Sequence, residues 1–95
     1  MIVSAAVRIT DLDGKTYTIP VHRHGDAFAI IKMFDIKRDR TKDIDGFLAR
    51  WQDPEDEFNY FDTFMTREEA LKHAFECGQI TTSMSDTELY SEDLW

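Results

Sequence analysis

Residues 2–21 read IVSAAVRITDLDGKTYTIPV, two alternating runs that meet at a turn signal. In residues 2–9, Val3, Ala5, Val7 and Ile9 share one face, and Ser4 and Arg8 lie on the other. A period of two marks a half-buried strand, because successive side chains point to opposite sides of the pleat. Asp13-Gly14 follows, and glycine accommodates the positive φ of a tight hairpin turn. Residues 15–21 resume the alternation with Tyr17, Ile19 and Val21 together. Pro20 has no N–H to give a ladder, so this second strand is expected to lie at a sheet edge or to end there. The chain thus opens as an antiparallel hairpin, and that fixes one layer of the fold.

The stretch that follows, VHRHGDAF at 21–28, is expected to turn from strand to helix. Gly25 breaks the strand and Asp26 is a good N-cap. Ala27, Phe28, Ile30, Ile31 and Phe34 then form a helical stripe to about residue 36. KRDRTKDID reads as a charged loop, GFLARW at 46–51 as a short strand, and QDPEDEFNY as an exposed acidic loop. MTREEALKHAFECGQI carries the clearest helix. Thr66 and Glu69 make a capping box, and Glu68 and Glu69 suit the positive end of the helix dipole. Ala70, Leu71, Ala74 and Phe75 form its apolar face, and Gly78 fits the left-handed position beyond its end. These elements add up to an α+β fold: a small antiparallel sheet of three to four strands packed against two helices.

Length and charge narrow the function classes. Ninety-five residues make a single domain, 1–95, with a thin core. Nineteen acidic against eleven basic residues give a net charge of −8. Such a surface repels duplex DNA and anionic membranes, so neither is expected as a partner. Solubility and mimicry of DNA are the two uses such charge can have. The single cysteine, Cys77, excludes an internal disulfide and any cysteine-pair metal site. No stretch approaches the roughly 20 apolar residues of a membrane span. The first ten residues have no basic region followed by a long apolar core, so no signal peptide is expected and a cytoplasmic setting fits. Residues 81–95 read as a C-terminal arm. Leu89, Tyr90, Leu94 and Trp95 are too apolar for a free end, so the arm either folds back or docks on a neighbouring subunit.

Three readings compete at His22, Arg23, His24 and Asp26. A zinc site would need His73 as a third ligand, and the spacing matches no zinc pattern, so no metal is expected. An anion site would use Arg23, the histidines and backbone N–H groups at a helix start, with Asp26 opposing it. The plain reading is a structural turn. Phe58, Tyr60, Phe61 and Phe64 near Arg50 and Arg67 could stack a base and hold its phosphate, or they could simply build core. No catalytic residue is expected: the serines sit in no nucleophile elbow. Cys77, at a helix C-terminus where the dipole raises its pKa, reads as a buried small residue. No glycine-rich phosphate loop is present, and no cofactor is expected.

The order of several short motifs carries a resemblance. Arg23-His24-Gly25-Asp26 follows the second strand, Gly46-Phe47 comes next, F-x-x-REEA runs from Phe64 to Ala70, GQI spans 78–80, and LYSEDLW closes the sequence. This order resembles a group of small phage and prophage proteins that end in Ser-Glu-Asp-Leu-aromatic. The group is similar to the anti-Thoeris sponge proteins of phages. The resemblance implies a non-enzymatic, homo-oligomeric anti-defence protein that sequesters a cyclic ADP-ribose-type signal without cleaving it. Carried over by position, it implies ligand contacts at Arg23, His24, Phe47, Phe64 and Arg67. This chain departs from the pattern at Asp62-Thr63-Phe64, where the group has Gly-Arg-Phe, and in the acidic stretch between Phe47 and Phe64. The alternative is an acidic inhibitor, anti-CRISPR-like or DNA-mimicking, that presents DPEDE at 53–57 to a basic, nucleic-acid-handling host defence protein.

Overall fold

The computed structural model describes residues 1–83 and 85–95; Met84, inside the expected C-terminal arm, lies outside the described residues. Among the described residues, four antiparallel strands form one sheet: β1 (Ile2–Thr10), β2 (Thr16–Val21), β3 (Ile44–Asp53) and β4 (Asp56–Thr66), in the order β2-β1-β3-β4. Two helices, α1 (His24–Met33) and α2 (Arg67–Glu76), pack on one face of it. The fold is therefore α+β, with the sheet at four strands.

The opening hairpin forms as its sequence dictates. Asp11 Oδ1 accepts from the N–H groups of Asp13 and Lys15, both at 2.9 Å, and Gly14 takes φ +90°. Ala5, Val7 and Ile9 pair with Val21, Ile19 and Tyr17, so the expected faces meet. Val3 leaves its face. An irregularity in the pairing with β3 between Ile2 and Ser4 turns Ile2 into the core and Val3 out to solvent. β2 is an edge strand, where the missing N–H of Pro20 is tolerated.

Four local expectations are corrected. Helix α1 begins at His24, not after Asp26. Arg23 occupies the N-cap with extended backbone and no side-chain cap bond, so Gly25 and Asp26 fall inside the first turn. Asp26 still suits that turn, because its carboxylate faces the positive end of the dipole. Phe34 lies beyond the helix and is 70% exposed, so Ala27 and Ile31 carry the packing. The acidic loop expected at 52–60 is instead a hairpin: β3 and β4 run through it and turn at Pro54-Glu55. Cys77 is exposed rather than buried.

Helix α2 forms with its expected cap, but Phe75, expected on its apolar face, is exposed at the far end of the helix. Thr66 Oγ1 accepts from the Glu69 N–H at 3.3 Å, and Glu69 Oε1 accepts from the Thr66 N–H at 3.1 Å. Ala70, Leu71 and Ala74 are buried against Phe47 and Ala49 of β3 in a continuous core. Leu89 of the C-terminal segment is fully buried in the same core, and its N–H donates to the Arg67 carbonyl at 3.0 Å. In this structure that segment lies on its own chain.

Candidate functional site

Three of the five residues named by the resemblance come together at the starts of the two helices. His24 is buried, and its Nε2–H donates to the Gly46 carbonyl at 2.7 Å. Its ring meets the Phe47 ring edge-on, with centroids 5.1 Å apart. Burial pushes the His24 imidazole below its ordinary range. The Gly46 hydrogen bond opposes this, the Arg67 charge adds to it, and the Asp45 and Glu92 carboxylates pull back. Arg67 is held by Asp45 at 3.6 Å and by the Leu89 carbonyl at 3.3 Å, and it stands over the Tyr90 ring. Arg23 reaches the C-terminal segment at Ser91 Oγ (3.5 Å), the Trp95 carbonyl (3.4 Å) and Glu92 (3.5 Å).

Both arginines thus grip residues 89–95 of their own chain. Of the two other named residues, one touches His24 only from inside the core and the other lies apart. Phe47 is fully buried core. Phe64 lies on the opposite, uncovered face of the sheet, because it pairs with Leu48 while Phe47 pairs with Met65. There the Arg8 guanidinium stacks on the Phe64 ring at 4.3 Å, and that ring closes over Gly46. Arg67 does not stand beside the aromatic run, as its sequence position suggested; Arg50 does, 4.0 Å over Tyr60.

A cleft of about 660 Å³ opens next to Arg67, lined by Phe28, Asp43, Ile44, Asp45, Thr66, Glu68 and Glu88. Four carboxylates surround its one arginine, so the local potential disfavours a pyrophosphate. The histidines do not assemble a metal site. His22 packs on Trp95, His24 is inside, and His73, on α2, packs on Trp51 of β3. Among the described residues no group of three or more His, Cys, Asp or Glu side chains is placed to hold a metal ion. No helix among them is long and apolar enough to cross a membrane.

The β3–β4 hairpin is the feature that sequence reasoning missed. It carries Phe58 at 87% exposure, with Tyr60, Phe61 and Trp51 also open to solvent. Between Arg50 and Asp62 five carboxylates stand against one arginine, and Arg50 is already paired with Asp62 at 2.9 Å. Local bonds stiffen the tip. Asp53 Oδ1 accepts from the Glu55 N–H, and Asp56 Oδ1 accepts from the Phe58 N–H. Trp51 Nε1 donates to Thr63 Oγ1 at 2.8 Å. Pro54 after Asp53 was the available signal, since this pair favours the first corner of a turn. An ordered, acidic, aromatic projection presents rigid apolar area with negative charge, which suits a cationic surface.

No curated protein and no solved structure matches the chain significantly. A model of one protein family, described as phage T4 y16D protein, matches residues 1–95. The chain belongs to that phage protein family.

Proposed function

We propose that this phage family protein is a non-catalytic, protein-binding inhibitor. Its β3–β4 hairpin docks on a basic, nucleic-acid-handling host protein. One observation carries this reading: the hairpin exposes Phe58, Tyr60, Phe61 and Trp51 among five carboxylates. Exposed aromatics on a rigid support are the residues that anchor interfaces, and the flanking charge steers a basic partner. The test compares wild-type protein with the Glu55→Lys, Glu57→Lys double variant in pull-downs from host cells over a salt series. A basic protein that elutes with salt and is lost with the double variant is the expected result. A partner retained equally by both proteins counts against the reading.

Sequestration of a cyclic ADP-ribose-type signal is the second reading. The convergence of Arg23, His24 and Arg67 favours it. It requires the ligand to displace residues 89–95 from the two arginines, and it places Phe64 outside the pocket. Thermal unfolding with a panel of cyclic nucleotides and cyclic ADP-ribose isomers separates the two. A sponge gains several degrees with a ligand that is recovered intact, and it loses the gain in Arg67→Ala. A hydrolase would return a new product instead.

A further inference from the structure

The two edges of the sheet differ. The β2 edge is six residues long and carries Pro20. The β4 edge is eleven residues long and contains no Pro, Lys or Arg. Proline, lysine and short length are the usual devices that stop an edge strand from pairing with another chain. β4 carries none of these, and its one irregularity is a bulge near the tip. The register with β3 shifts between Gln52 and Asp53, so residues 57–59 bulge. Gln52 Nε2 donates there to the Glu57 carbonyl, and Asn59 Nδ2 to Asp56 Oδ2. From Tyr60 to Thr66 the ladder is regular, with β3 on one side and, among the described residues, no strand on the other. In an antiparallel strand about half the backbone N–H and C=O groups point to each side. Thr66 already gives its N–H to Glu69, so among the described residues that half of the Tyr60–Met65 groups forms an unused ladder.

We propose that the partner adds an extended, Lys- or Arg-bearing segment to the β4 edge, extending the sheet to a fifth strand. The inference rests on the docking reading above and specifies how the hairpin binds. The segment's backbone would supply the ladder bonds, and its alternate side chains would meet the two faces of the hairpin. Charge decides the occupant. Asp53, Glu55, Asp56 and Glu57 at the tip favour cationic side chains, and Phe61 offers a ring face beside the edge for them to stack on, while Asp62 and one face of Tyr60 already hold Arg50. A second copy of the chain would bring the same acidic hairpin and a further net charge of −8.

The test uses full-length protein and a ten-residue peptide of alternating lysine and valine. Hydrogen exchange of the backbone amides is followed residue by residue. A second peptide of the same sequence carries N-methyl groups on alternate backbone nitrogens, which keeps its charge and removes its ladder donors. The first peptide, at ten times its Kd, should slow exchange of the outward amides between Tyr60 and Met65 about tenfold. The N-methylated peptide should give no protection. Equal binding of both peptides at the hairpin, without protection of β4, overturns strand addition and leaves the docking reading standing. Failure of both peptides to bind at low salt overturns both readings. Protection of β4 that rises with protein concentration alone assigns the edge to a second copy and also overturns the proposal.

Discussion

Gly46→Ala should destabilise the protein sharply, although replacing a strand glycine with alanine ordinarily helps, because glycine loses more backbone freedom on folding. Gly46 is crowded by the backbone of the neighbouring strand and by a ring on the uncovered face. A Cβ added there would overlap the Met65 carbonyl oxygen of β4 and fall 2.6 Å from Phe64 Cζ. The ring could rotate away, but the carbonyl belongs to the β3–β4 ladder and moves only with the strand. Overpacking of this kind costs about 1–3 kcal/mol. Movement of β3 also loosens the Gly46 carbonyl from His24 Nε2, now at 2.7 Å, and a lost internal hydrogen bond costs about 0.5–1.5 kcal/mol. The sum is roughly 2–4 kcal/mol. At about 5 °C per kcal/mol for a domain of this size, the melting temperature should fall by roughly 10–20 °C. Circular dichroism melts of the variant and wild type measure this directly. Adding Phe64→Ala should recover only part of the loss, since the carbonyl overlap remains. An unchanged or raised melting temperature in Gly46→Ala would refute the close approach of the strands at this position.

Leu89→Ala should cost about 2–5 kcal/mol, because a fully buried leucine would leave a cavity in the core, and chemical denaturation reads it. A loss below 1 kcal/mol would mean that the C-terminal segment is not part of the folded unit. Thr66→Ala removes the hydroxyl of the capping box and should cost about 0.5–2 kcal/mol by the same assay. Stability should fall as pH drops from 7.5 to 5.5. His24 and His73 both titrate below their ordinary 6.5 in the folded protein, so the unfolded chain takes up protons first. Their contribution is complete above about pH 6.5 and is lost as pH falls toward the folded values. His24→Gln should flatten that slope; equal slopes would mean that His24 is not buried as a neutral ring. Asp39 and Asp62 are held below the ordinary carboxylate range by hydrogen bonds from Thr41 and Arg50, so they act only at lower pH and do not contribute in this window.

What could be read from the chain beforehand depended on the range of the forces involved. The first hairpin and α2 are written in local chemistry: Asp13-Gly14, the Thr66–Glu69 box and Gly78 act over a few residues. The start of α1 was misplaced because local capping preference lost to a tertiary bond. His24 is drawn into the helix by the Gly46 carbonyl, 22 residues away. The β3–β4 hairpin was hidden because its bulge at 57–59 breaks the alternation of Phe58, Tyr60 and Phe61, and its carboxylates suggested solvent. The candidate site was half legible. Arg23, His24 and Arg67 do gather, but only the fold reveals that the C-terminal segment occupies both arginines. Phe64 fell on the wrong side because a strand sends adjacent residues to opposite faces, and sequence alone did not fix which face the helices cover.

The most direct measurement is the affinity of the salt-eluted basic partner for wild-type protein and for the Phe58→Ala, Tyr60→Ala double variant, by calorimetry. Both side chains are exposed, so the two proteins should melt at nearly the same temperature. Loss of two interface anchors should weaken binding at least tenfold, equivalent to about 1.4 kcal/mol. Affinities within twofold of each other, with binding instead abolished by Arg23→Ala and Arg67→Ala, would contradict docking through the hairpin and return the function to the arginine site.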